Sequence, residues 1–404
     1  MSVLFTIVAI VMHNIVYVHI ELCMHNRLRS TNLPVSTSRG GTTINAQLST
    51  QTRLVDVHTH AIDDRLPDLR RSYPHDHWPS IDRTGDTDAQ LLFGGQHYRQ
   101  IDHRCWSPTA RIMDMDRQGV AVQVLSPIPV TFCYRASAAG AAELASAQND
   151  FFARITHEHP TRFAALGAVA LQDPDLAVDE MRRCMRRGFL GVEIGSRVGD
   201  TELADPSLDR FFAAAGELGA LVLVHPSDQD LPARITAPGL GFGAGMPIET
   251  ALAAAALLVS GALARRPEVR ICLAHGGGAL PALIGRLDKG AIIAGMPADS
   301  PELPSRLARR LWSDCLTYDR RALYAAIDVF GSDHVVFGSD YPFAAMPEPL
   351  DDIVATLPAE LHRRICRTNL EEHYGAFPGS GHDPLPVTGR HRRAHGGPFA
   401  LDLG

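Results

Sequence analysis

The chain has 404 residues, is 45% hydrophobic and carries a formal net charge of −7, so it can bury a large core as one α/β domain or two smaller ones. Its arginines are scattered among acids with no basic block, which excludes nucleic acid as an expected partner. Seven cysteines (Cys23, Cys105, Cys133, Cys184, Cys272, Cys315 and Cys366) contain no C-x-x-C pair, which excludes a disulfide framework and a cysteine zinc site and fits a reducing cytoplasm.

The chain opens on MSVLFTIVAIVMHNIVYVHIEL. Its clean apolar run, Val3 to Met12, is too short to span a bilayer, and His13, Asn14 and His19 interrupt its continuation. Neither a basic start nor a small-residue cleavage site marks a signal peptide, so no membrane association is expected. Residues 31–51 read as a flexible linker, and 1–51 together as an N-terminal extension, disordered or upstream of the true start. Residues 379–404, with GRHRRAHGGP inside them, read as a disordered tail.

Between them, over 52–378, short apolar runs alternate with longer amphipathic stretches. The runs are LVDVH from Leu54, AVQVLS (121–126), FAALGAVA (163–170), LGVEIGS (190–196), LVLVHPSD (221–228), VRICLAHGGG (269–278), LWSDC (311–315) and HVVFGSD (334–340). Short runs rich in Val, Ile and Leu are what strands covered on both faces require. Helical patterns lie between them, such as 175-DLAVDEMRRCMRRG-188 and 207-SLDRFFAAAGELG-219, the latter with Ser207 as the expected cap and Gly219 as its end. Eight alternations predict a parallel (β/α)8 TIM barrel. No G-x-G-x-x-G follows a strand, which counts against a dinucleotide-binding open sheet. Residues 61–107 break the rhythm and read as an inserted cap after the first strand.

The polar residues fall at strand ends. His58 and His60 end the first run and share one strand face; His225 ends the fifth, His275 the sixth and Asp340 the eighth. A parallel barrel gathers those ends on its C-terminal face, where barrel enzymes place their chemistry. Three imidazoles and a carboxylate suit Zn²⁺ with a position open for water or substrate, although iron, manganese and cobalt accept similar donors. A further imidazole beside that water could move its proton.

This pattern resembles the amidohydrolase superfamily, and within it the aminocarboxymuconate-semialdehyde decarboxylase family. The matching stretches are 106-WSPTARIMDMDRQGVAVQVLSPIPVTF-132, 246-MPIET-250, 273-LAHGGG-278 and 338-GSDYPF-343. The resemblance implies that His58, His60, His225 and Asp340 hold one divalent metal ion, and that His275 is the acid/base residue, with Asp340 also serving the reaction. It implies that Arg99 binds a substrate carboxylate and that Arg286, eleven residues after His275, does so across a homodimer interface. The two-metal relatives bridge their metals with a lysine at the fourth strand's end. Lys289 is the chain's only lysine and follows the sixth strand, so a single-metal site is expected. The sequence departs from the family at Ser227, where HPWD becomes HPSD, and in the following loop, where only Phe242 remains aromatic; both positions are expected to shape the substrate pocket. The expected activity is decarboxylation of an aromatic or muconate-like carboxylic acid. The alternative is a metal-dependent hydrolase or cyclase acting on an anthranilate-like ester or amide in a secondary-metabolite pathway.

Overall fold

The computed structural model describes residues 53–235, 237–343 and 352–377; the expected N-terminal extension and C-terminal tail lie outside them. Eight strands form one parallel sheet in chain order: β1 (Leu54–Ala61), β5 (Val120–Pro127), β6 (Phe163–Gly167), β7 (Gly191–Gly195), β10 (Leu221–His225), β11 (Arg270–Leu273), β12 (Trp312–Asp314) and β13 (Val335–Val336). Each coincides with one of the eight apolar runs. A small antiparallel pair, β8 (Arg197–Val198) with β9 (Thr201–Glu202), lies in the connection after β7. The first and last edges of the large sheet meet through Val57 N–H to Phe337 O (3.0 Å), Asp340 N–H to His58 O (2.8 Å) and His60 N–H to Tyr341 O (2.7 Å). Together with a parallel bridge between Thr59 and Tyr341, these bonds close the sheet into the (β/α)8 barrel.

The connecting helices begin and end where local chemistry directs. Ser107 accepts from Ala110 N–H at the start of Pro108–Gln118, and Asp173 accepts from Asp175 and Leu176 N–H at the start of Pro174–Arg186. Asp209–Leu218 ends at Gly219, which takes the left-handed conformation (φ 65°). Its start differs from the expected one. Ser207 does not cap it; Asp205 accepts from Ser207 N–H and caps a short 3₁₀ turn, Pro206–Leu208, that leads into the helix. A carboxylate two residues upstream has already taken the capping role.

The main core lies between barrel and helices, around Phe151, Phe152, Phe211, Phe212 and Phe330. One stretch, Gly241–Val259, is long and apolar enough to cross a membrane; its Ala254, Leu257 and Leu258 pack into this core. The segment 61–107 carries a three-stranded antiparallel sheet, β2 (Pro79–Arg83), β3 (Asp88–Phe93) and β4 (Gln96–Asp102). Tyr98 of β4 donates from its hydroxyl to Asp228 Oδ1 (2.6 Å) beyond the end of β10, tying this sheet to the barrel.

Candidate metal centre

β1 shifts register between Asp56 and Thr59, and His58 and His60, two residues apart, both face the centre. His58, His60, His225 and Asp340 then converge, each offering one donor atom, all within 4.8 Å of one another and all buried. His58 Nε2 lies 3.3 Å from His60 Nε2, and His60 Nε2 lies 3.1 Å from Asp340 Oδ1. Donors around a tetrahedral ion at about 2.0–2.1 Å stand roughly 3.3 Å apart, so these spacings fit a metal. Each imidazole is anchored through Nδ1: His58 to Asp314 Oδ2 (2.6 Å), His60 to Pro127 O (2.9 Å) and His225 to Pro226 O (2.7 Å). That leaves all three Nε2 atoms for the shared centre, the arrangement metal-ligating histidines need. His225 Nε2 is buried without a hydrogen-bond partner, a costly state that an ion would relieve.

The electrostatics favour a cation. Burial works against ionising Asp340 and Asp314, yet hydrogen bonds and the neighbouring imidazoles hold both carboxyls below the usual range. Glu193, at 3.9 Å from His60 Nδ1, is raised by burial. Burial pulls His58 down, but Asp314, Asp340 and Glu193 outweigh it and raise the imidazole to about 9. His225 is pushed well below its ordinary value by burial and by the neighbouring histidines, which keeps it neutral as a ligand must be.

His275 stands beside this cluster, its ring centroid 4.9 Å from that of His225 and 5.4 Å from that of His58. Burial, then the charge of His58, lowers it to about 4, so the ring is a neutral proton acceptor. Its backbone and that of Gly276 donate to Asp314 (2.9 and 2.8 Å). One carboxylate therefore fixes both the His58 ring of the cluster and the turn that carries His275. His275 and Asp340 both adopt positive φ (59° and 60°) without being glycine, a strained conformation of the kind found at functional positions. At Gly338 a Cβ would lie 2.8 Å from His58 Cβ and 2.9 Å from Asp314 Cβ, so only glycine lets the last strand approach the centre.

A cavity of about 670 Å³ opens over the centre, lined by His60, His225, Asp340, Arg99 and Phe242 among others. The Arg99 guanidinium lies 4.6 Å from the Phe343 ring centroid and has no hydrogen-bond or ion-pair partner among the described residues. Arg104 shares the cavity but is paired with Asp102 (2.6 Å). Ser227 and Arg286 are not in this lining. Ser227 borders a neighbouring cavity, and Arg286 is exposed on the helix Leu280–Ile293. Asp314 was missed by the reading of strand ends, although it stands at the end of the seventh run as the other site residues do. Arg111 gave no signal from its type. It is fully buried, donates to His60 O and Thr59 Oγ1 (both 2.8 Å) and lies over the Tyr341 ring, so it braces two strands of the centre from behind.

A family profile described as amidohydrolase matches residues 55–376. The 2-amino-3-carboxymuconate-6-semialdehyde decarboxylase of Dictyostelium discoideum is 34% identical over 330 residues, covering 80% of this chain and 89% of its own. The gamma-resorcylate decarboxylase of Rhizobium sp. (strain MTP-10005) is 29% identical, covering 70% and 91%. Among solved structures, the dihydroxybenzoic acid decarboxylase of Polaromonas sp. JS666, with bound manganese and 2-nitroresorcinol, has 21% identity and a TM-score of 0.64, covering 80% of this chain and 97% of that one.

Proposed function

Because the chain belongs to the amidohydrolase family, we propose that it is a metal-dependent decarboxylase of an aromatic or muconate-like carboxylic acid. The observation that carries this reading is the meeting, in one cavity, of a buried three-imidazole, one-carboxylate cluster with the unpartnered guanidinium of Arg99. His58, His60, His225 and Asp340 would hold one divalent ion, proposed as Zn²⁺. Such an ion supplies Lewis-acid charge that orients substrate oxygens and stabilises the negative charge of the transition state.

The chain's own groups do the rest. Arg99 binds a carboxylate with paired N–H donors, and Phe242 offers an apolar wall beside it. The neutral His275 ring takes up a proton from solvent water, leaving hydroxide to the bulk. As the bond to the carboxylate breaks and its electron pair stays on carbon, His275 returns that proton to the carbon and CO₂ leaves. Asp314 keeps His275 and His58 in register through this exchange. We further infer a homodimer in which Arg286 reaches the neighbouring site. Its exposure, and the exposed Leu283 and Ile293 on the same helix, support that reading. A cytoplasmic location fits the six described cysteines, all free and buried.

The test is a mass measurement. Metal-loaded protein is incubated with muconate semialdehyde, resorcylate-type and anthranilate-type acids and esters, and its metal is identified by elemental analysis. Loss of CO₂ is expected, and His275→Asn should keep the metal and abolish that loss. Gain or loss of water in place of CO₂ would make the protein a hydrolase or cyclase.

A further inference from the structure

A second cavity, of about 450 Å³, adjoins the first and touches none of the metal ligands. Pro129 lines both cavities, and the turn at 227–229 divides them: Asp228 faces the first, Ser227 and Gln229 the second. His225 closes β10 and Ser227 comes two residues later with extended backbone (φ −110°, ψ 134°). At about 3.3 Å per extended residue the two lie roughly 7 Å apart, a distance that one aromatic ring bridges.

One side of this space is apolar, formed by Phe93, Pro129, Phe132, Cys133 and Tyr134, while His75, Asp76, His77, Arg135 and Gln229 line the rest. The rings of Phe132 and Tyr134 are stacked at 5.5 Å with 10° between their planes, and Phe93 enters from the cap sheet. Cys133 is buried there, and burial raises its thiol so that it stays uncharged. The Ser227 hydroxyl accepts from Gln229 N–H (3.3 Å) within the turn. Arg135 at the rim is paired with Asp200 (2.8 Å). A cavity of about 150 Å³ lined by apolar side chains already holds benzene, and ligand pockets begin at roughly 300 Å³. A bulky side chain at 227 in place of serine would occupy this volume.

We infer that the cavity bordered by Ser227 is a second subsite of the same active site, taking an apolar, aromatic substituent of the carboxylate substrate. The substrate is then an extended acid, with its carboxylate near the metal centre and a second ring beyond Pro129. Ser227 is the specificity-determining residue that keeps this space open. This inference rests on the carboxylate-binding role proposed for the first cavity, and it deepens that role by naming the substrate's shape.

The test compares 2,6-dihydroxybenzoate with the same acid carrying a phenyl group meta or para to the carboxylate. Binding to metal-loaded full-length protein is measured by calorimetry, and CO₂ release is monitored in parallel. The wild-type protein should bind one extended isomer at least tenfold more tightly than the compact acid. Ser227→Trp should lower that ratio at least tenfold, with Ser227→Leu between the two. A wild-type ratio near one overturns the subsite whatever the variants do, as does a ratio that neither substitution changes. The wild-type comparison stands even where a variant fails to fold. A position-227-dependent ratio without CO₂ release would remove the decarboxylase and leave the subsite. CO₂ release from the compact acid with a ratio near one would do the reverse. No binding of any of the acids would overturn both.

Discussion

Asp314 touches no substrate-lined wall, yet it holds His58 by its ring and His275 by its backbone. Outer partners of this kind orient metal ligands and raise their basicity. Asp314→Asn keeps the shape and removes the charge. It should weaken metal affinity by about 10–100-fold, read by chelator competition; unchanged affinity would separate Asp314 from the centre. The same pair sets a pH dependence. In the ion-free protein His58 is raised to about 9, because Asp314 and the other acids outweigh burial. A proton and a metal ion compete for its Nε2, so below pH 9 the proton must be displaced. Apparent metal affinity should therefore rise with pH, about tenfold per unit for this one proton. Titrations at pH 6, 7 and 8 giving one affinity would contradict that sign.

At the scale of elements, the eighth strand shows how sequence and tertiary contact divide the work. The run HVVFGSD reads as seven extended residues, but only Val335–Val336 form ladder pairs with the neighbouring strand. Beyond them the chain leaves β12 and bonds to β1, because Gly338 must pass within contact of His58 and Asp314 and Asp340 must turn to φ 60° to face the centre. Gly338→Ala would force a methyl into that contact. It should cost about 1–3 kcal/mol of stability and lower metal content, measured by thermal unfolding and elemental analysis on the same sample. A variant with wild-type stability and full metal would mean the strand can yield. The first strand differs: His58 and His60 could be assigned to one face from their spacing, although the ladder shifts register between Asp56 and Thr59.

Across the whole molecule, the two predicted carboxylate-binding arginines part company. Arg99 reaches the cavity over the metal centre of its own chain, carried there by β4 of the cap sheet. Arg286 is exposed on the helix Leu280–Ile293, away from that cavity. If the site is shared in a two-fold dimer, mixing Arg286→Ala with His275→Asn restores activity. About a quarter of the sites are then intact after random exchange. Each variant alone should be impaired, and a mixture no more active than its parts would confine the site to one chain.

Strand number, their parallel order and the convergence of His58, His60, His225 and Asp340 were legible in the sequence, because strand periodicity is local and a parallel barrel brings all C-terminal strand ends to one face. The residue types at those ends are the donors a divalent metal takes. What only the tertiary structure decided depends on groups far apart in the chain. Asp314 meets His58 across 256 residues, Tyr98 meets Asp228 across 130, and Arg111 supports His60 from behind. The local cap at Asp205 escaped notice for a different reason: two side chains competed for one turn, and their order in space settled it. The cavity beside Ser227 belongs to the tertiary structure as well, since a small residue is only an absence of atoms until packed walls make it a space.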